Sequence, residues 1–388
     1  MIKSPPIPLT DIRLPLTVKN MIKFYNATTI RTISTEEVES IRTLAQEGDP
    51  VACFKLGRMT YAWSDLSAQE DYLITTKRLL TQAQRGGVVE ADVALAIMML
   101  NGEIEPYNPR RALGMIEEAL KKGNEYAAYN QLCNLIFARF GYKQDLDLAE
   151  RMLDELMEHS TNPWFYDLKG EVLQARGRYA DSELWFAKAV ECGITFSYNA
   201  LAYARGYDNN GELRDWNAFI KTQCKGADEG NMFCMHYFAE NQMQEYDSLG
   251  PEQTEKRDEC RSNILELLEE CVDQKHGFSA ETLGDIYRGG LYGVPVDYDK
   301  AWRCYMLGAD YALGNCYEKL YDMIVEGQVT RGADRQECLE QFAIYGARLR
   351  NRRMQEETVR MYRNGHLTRY AAEIEMYHMP EVEKRYVL

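Results

Sequence analysis

Helix-ending glycines or their equivalents fall at Gly48, Gly87, Gly123, Ser160, Gly193, Gly230, Gly277 and Ala312, and this spacing constrains the chain more than any other feature. The successive separations are 39, 36, 37, 33, 37, 47 and 35 residues. Each interval holds two short amphipathic helical patterns and few strand signals. A helix pair of that size cannot bury its apolar face alone, so a period in the thirties implies stacked pairs. The expected fold is all-α: a right-handed α-solenoid of about eight helix-turn-helix repeats with an extended N-terminal arm. The interval of 47 has a local cause, since the polar stretch from Glu245 to Lys256 reads as an insertion in one loop.

Helix starts are well specified. Asp49-Pro50, Asn108-Pro109 and Asn162-Pro163 each place a side-chain acceptor at the N-cap and a proline at the first helical position, where a missing N–H costs nothing. Ser34 and Glu37 have capping-box spacing ahead of Val38, Ile41 and Leu44. Upstream, Pro5, Pro6, Pro8 and Pro15 crowd the first fifteen residues and obstruct helix, leaving an arm that is either a packed tail or a docking strand. The division that follows is an arm over 1–34, a repeat array over 35–350 and C-terminal capping helices over 351–388.

The clearest unit is residues 277–311. Ala280, Leu283-Gly284, Tyr287 and Gly290 mark its first helix and turn, and Gly293-Val294, Asp297, Lys300-Ala301, Tyr305 and Ala309 its second. This pattern resembles the Sel-one-like repeat family, a relative of the tetratricopeptide repeats. Gly284 allows two helices to approach closely while Leu283 and Tyr287 fill the seam, and Gly290 and Gly293 permit the turn. Residues 163–193 are similar to a plain tetratricopeptide unit through Gly170, Gly177, Tyr179, Phe186 and Ala189, with Ser182 where alanine is usual. Residues 88–123 match through Ala96, Met99, Gly102, Ala112 and Ala119. The resemblance implies a bacterial adaptor that binds proteins and has no catalysis or cofactor of its own.

Composition narrows the field further. The chain has 45 basic and 60 acidic side chains, a net charge of −15, which disfavours nucleic acid or an anionic membrane as main partner. Its longest apolar run, Val93 to Leu100, is far too short to span a bilayer. The N-terminus has no signal-peptide pattern, and ten scattered cysteines suit a reducing compartment, so a cytoplasmic location is expected. No two cysteines lie closer than Cys224 and Cys234, which excludes CxxC metal and redox motifs. Cys133, Cys192, Cys304 and Cys316 read as compact seam residues. The sequence holds no HExxH, no GxSxG elbow and no P-loop, since Gly289–Gly293 is an interhelical turn. His159, His236, His276, His366 and His378 lack metal-ligand spacing, and His276 reads as a helix-end residue that complements the dipole. Pairs such as Glu117-Glu118 and Glu269-Glu270 read as solvated faces.

An array of this kind offers an extended surface instead of a pocket, lined by the first helix of each unit. The seam residues leave Phe54, Arg58 and Tyr61 facing outward in the first unit, Asp167, Glu171 and Gln174 in the unit at 163, and Glu281, Asp285 and Arg288 in the unit at 277. Many of the 26 tyrosines are core positions, and the rest suit a protein interface. Residues 331–370 carry nine arginines and no lysine against five acids, densest at Arg348, Arg350, Arg352 and Arg353. That run is either a face paired with the chain's own acids or a dock for an acidic segment, including another copy of this chain. The expected function is a non-catalytic scaffold or regulator for a protein or peptide, with a basic segment against the acidic parts of the groove. The alternative is a dedicated inhibitor or immunity protein that neutralises an enzyme or toxin.

Overall fold

The computed structural model describes residues 21–25, 30–62, 69–104, 106–274, 276–311, 313–330 and 334–377. The chain divides into two compact units, one ending at Ile194 and the other beginning at Thr195. The first opens on an antiparallel hairpin of β1 (Met21–Tyr25) and β2 (Ile30–Ser34), with Met21 opposite Ser34 and Tyr25 opposite Ile30. This part of the arm is extended, and its two strands pair with each other. Helices α1 (Thr35–Glu47), α2 (Pro50–Ala62), α3 (Gln69–Arg85), α4 (Val89–Leu100), α5 (Pro109–Lys121), α6 (Glu125–Phe137), α7 (Leu146–His159), α8 (Pro163–Ala175) and α9 (Tyr179–Glu191) follow. The second unit holds α10 (Tyr198–Gly206), α11 (Trp216–Asp228), α12 (Met232–Ser248), α13 (Thr254–Asp273), α14 (Gly277–Gly289), α15 (Tyr298–Asp310), α16 (Gly314–Val325), α17 (Arg335–Arg348), α18 (Arg352–Arg363) and α19 (Ala371–Met376).

Even-numbered helices from α2 to α16 pair with the odd-numbered helix that follows, making eight pairs among the described residues. The even-numbered members, here called A helices, touch one another at α2–α4, α4–α6 and α6–α8 in the first unit, and at α10–α12 and α16–α18 in the second. The expected N-caps form: Asp49, Asn108 and Asn162 accept from Ala52, Arg111 and Trp164 N–H ahead of or across their prolines. Ser34 accepts from Glu37 N–H at 3.3 Å.

Within a pair, a glycine on the A helix admits an aromatic ring from its partner. A Cβ at Gly284 would lie 2.6 Å from Tyr305 Cδ1, and one at Gly170 would lie 2.6 Å from Phe186 Cε1. Between pairs the roles reverse. Gly226 and Gly308 receive the sulfurs of Cys234 and Cys316 from the next A helix. Both sets are buried, so the seams depend on missing methyls as much as on apolar area. Cys133, Cys304 and Cys316 are buried as expected, but Cys192 caps α9 and is exposed. Ser182, the residue that replaces the usual alanine, is fully buried and donates to Tyr179 O at 2.7 Å, so its hydroxyl is satisfied.

Two sequence readings are corrected here. Gly277 does not end a helix; α13 ends at Asp273 and Gly277 opens α14, where its small size lets Tyr311 Cβ approach. The long interval is not a loop insertion, because most of Glu245–Lys256 is helical and the extra residues lengthen α12 and α13 to 17 and 20 residues. Ala312 lies outside the described residues.

Candidate interaction surface

Successive A helices are tied at their N-termini by a device the sequence reading missed. Asn124 caps α6 by accepting from Ala127 N–H, and its Nδ2 donates to Glu90 Oε1 at the start of α4 at 2.9 Å. Asn162 caps α8 and donates to Glu125 Oε2 on α6 at 3.0 Å. Asn231 caps α12 and donates to the carbonyls of Thr195 and Phe196 at 2.7 and 3.1 Å. Asn351 caps α18 and donates to Glu318 on α16 at 2.7 Å. Asparagine has both an acceptor and a donor, so one side chain ends one helix and registers the next. The available signal was an N-cap asparagine with a glutamate 33 to 37 positions earlier, as at Glu90, Glu125 and Glu318.

In the first unit the expected outward residues divide. Phe54 is core, 5% exposed, because α2 is overlapped by its neighbours; Asp167 is likewise buried at 5%. Arg58 is half-buried between the rings of Tyr61 and Tyr126, 5.9 and 5.5 Å from their centroids. Tyr61 donates to Glu103 Oε1 at 2.8 Å, and Asn101 Nδ2 to the same oxygen at 3.2 Å. Burial pushes the Glu103 carboxyl up to about 7. On α8, Glu171 and Gln174 are half-buried. Burial, then the neighbouring Asp167 charge, pushes Glu171 up to about 8, so it is mostly protonated at neutral pH. The cations on α8 point elsewhere. Lys169 pairs with Glu150 and Asp154 of α7 at 3.0 and 2.7 Å, and Arg176 with Asp147 of α7 at 2.6 Å.

The second unit neutralises its own A-helix acids. Lys319 on α16 reaches Glu281 at 3.2 Å and Asp285 at 2.6 Å, while Tyr305 Oη also donates to Asp285 at 2.6 Å. Arg288 pairs with Glu326 at 2.9 Å and donates to Gln328. Arg353 on α18 pairs with Glu318 and Asp322 of α16 at 2.9 and 2.6 Å. Glu281 and Asp285, expected to face a basic partner, are therefore already matched from the next repeat.

Three arginines of the run, Arg348, Arg352 and Arg353, pair with acids of this chain. Arg348 is buried and forked onto Glu373 at 2.9 and 3.2 Å, between the rings of Tyr345 and Tyr370. Arg352 pairs with Glu356 one turn on, at 3.1 Å. Arg350 is exposed, at φ +64° in the turn between α17 and α18. Among the described residues there is no cluster of His, Cys, Asp and Glu able to hold a metal ion, and no helix is long and apolar enough to cross a membrane.

Each unit is a stack of paired helices, the α-solenoid architecture. No protein-family model matches it, and no curated protein does. Solved structures similar to it include a protective antigen present in uropathogenic Escherichia coli strains that displays an SLR fold. That likeness has 19% identity over 90% of this chain and 71% of the antigen, with a TM-score of 0.36. Another is a Sel1 repeat protein from Oxalobacter formigenes, at 16% identity over 90% of this chain and 98% of that one, with a TM-score of 0.37. The architecture rests on the chain's own helix pairs, not on these likenesses. Residues 277–311 form one such pair, with Gly284 against Tyr305 and left-handed turns at Gly290 (φ +65°) and Gly293 (φ +74°), the roles that the Sel-one-like resemblance implies.

Proposed function

We propose that this chain is a non-catalytic protein-interaction scaffold whose first unit holds a basic segment of its partner against Glu171 of α8. The observation that carries this reading is the contrast in charge matching. The equivalent acid pairs Glu281/Asp285 and Glu318/Asp322 each receive a cation from the next A helix, Lys319 or Arg353. Within the first unit no described cation pairs with Glu171, which stays protonated instead. A lysine or arginine from a partner supplies the missing charge, and in doing so expels the Glu171 proton.

That coupling gives the test. A lysine-containing peptide binds more tightly as pH rises from 6 towards 8.5, with a proton released on binding, because the competent carboxylate becomes populated. Calorimetry in buffers of different ionisation enthalpy measures the release. Glu171→Gln abolishes both the affinity and its pH dependence, while Glu281→Gln with Asp285→Asn leaves them intact. Binding that is independent of pH, or unchanged in Glu171→Gln, overturns the placement.

A further inference from the structure

Four A helices, α6, α8, α12 and α18, begin on an N-cap asparagine, and at α14 a titratable group holds the N-cap position. The N-cap of α14 is His276, which caps no backbone N–H. Its Nδ1 lies 2.7 Å from Ser279 Oγ, and the same hydroxyl lies 2.8 Å from Nδ1 of His236 on α12. Ser279 is fully buried and His276 is 5% exposed. One hydroxyl thus joins two imidazoles across adjacent repeats.

Proton positions follow from the partners. His236 Nε2 faces Glu240 Oε1 at 3.5 Å and carries the proton there. Its Nδ1 then accepts from the Ser279 hydroxyl. His276 Nδ1 must donate to Ser279 Oγ, which leaves its Nε2 as a bare lone pair. That nitrogen is buried with no hydrogen-bond partner, and the His276 ring is flanked by Phe233 and Phe278 at 4.9 and 5.9 Å between centroids.

We propose that this His236–Ser279–His276 relay is an acid-sensitive joint, which takes up protons as pH falls and releases the first turn of α14 from α12. The relay accommodates one proton arrangement. A proton on His276 Nε2 finds no acceptor and sits at the N-terminus of α14, where positive charge opposes the helix dipole. It also lies beside a second imidazole, whose centroid is 5.1 Å away. A second proton on His236 turns both Nδ1 atoms into donors aimed at one hydroxyl oxygen, so the serine loses its own acceptor. The other groups facing the relay are Glu240 on α12, Cys271 on α13 and Tyr311 after α15. Burial pushes the Cys271 thiol up to about 11, out of the acid range. Burial, then the His236 charge, pushes His276 down to about 4, and burial also lowers His236.

The sign is fixed by linkage. Histidine in an opened joint titrates at its ordinary value near 6.5 and binds protons that the closed joint refuses, so closure weakens as pH falls below about 6.5. From pH 7 to pH 5, His276 alone raises the opening constant about 20-fold. Hydrogen exchange on the full chain, corrected for intrinsic rates, reads this in peptides from the start of α14 and from α12. The wild type loses about 20-fold protection there. His276→Asn, which installs the cap used at α6, α8, α12 and α18, keeps only the part of this change that His236 contributes. Equal pH dependence in the two proteins overturns the proposal. Imidazole NMR on the wild type provides a second reading that needs no variant: His276 titrates below pH 5, and a midpoint near 6.5 overturns the proposal as well.

Discussion

The same two positions on the A helices are used oppositely in the two units. In the second unit Glu281, Asp285, Glu318 and Asp322 are matched by Lys319 and Arg353, and Arg348 is spent on Glu373. In the first unit Arg58 lies between tyrosine rings, Glu103 is held by Tyr61 and Asn101, and Glu171 keeps its proton. One face is electrostatically closed, and the other leaves Glu171 without a counter-ion from its own unit. A surface that has already matched its charges gains little by exchanging them for a partner's, whereas an unmatched half-buried acid gains more. The electrostatic asymmetry between the units therefore follows from where each repeat places its cations.

The largest expected effect breaks the closed side. Arg348 has 1% of its side chain exposed and Glu373 10%. Arg348→Ala strands a buried carboxylate and costs about 3–5 kcal/mol, measured as a lowered urea midpoint of the second unit. Replacing both residues by apolar ones recovers most of the loss, which distinguishes a stranded charge from lost volume.

The next two variants have opposite signs and exchange the character of the two faces. Lys319→Met leaves Glu281 and Asp285 unmatched and destabilises the second unit by about 1–3 kcal/mol at neutral pH. Glu171→Gln removes a carboxyl that the fold must keep protonated. Glu171 titrates near 8 in the fold against 4.5 ordinarily, so between those values the folded chain binds a proton that the unfolded chain has lost. Wild-type stability therefore declines as pH rises from 4.5 to 8 and levels off above it. The glutamine variant lacks that decline and gains about 1–3 kcal/mol at pH 7. Urea midpoints at pH 5, 7 and 8.5 give both signs, and a destabilised Glu171→Gln at pH 7 removes the contrast between the units.

The repeat itself was legible because it is written locally. A polar cap followed by proline, as at Asn108-Pro109, fixes a helix start without reference to anything distant. Glycines facing aromatics, as at Gly284 and Gly170, recur at fixed offsets. The surface was less legible, since exposure and charge matching depend on the neighbouring repeat. Phe54 and Asp167 stand at positions that face outward on an isolated helix pair, yet stacked neighbours bury them. Nothing near Asp285 announces Lys319, which lies 34 residues on. His276 was misassigned for a related reason: the sequence marks a boundary at Gly277 without saying that a helix begins there, and the sign of the dipole depends on that.

The smallest effect tests whether the two units share any common device beneath this difference. Asn162→Asp keeps the oxygen that accepts from Trp164 N–H, so the start of α8 remains capped. It removes the donor to Glu125 and sets two carboxylates about a hydrogen bond apart. Asn351→Asp does the same beside Glu318 in the second unit, where Arg353 also reaches that glutamate. If registration and not capping is the role of the asparagine, both substitutions cost about 1–2 kcal/mol although aspartate is an equally good N-cap. The cost should be lower at Asn351, since Arg353 attenuates the new repulsion, and both costs should shrink as pH falls and the carboxylates protonate. Equal stability of Asn162→Asp and wild type at pH 7 would reduce the asparagines to ordinary caps, leaving apolar seams alone to set one repeat on the next.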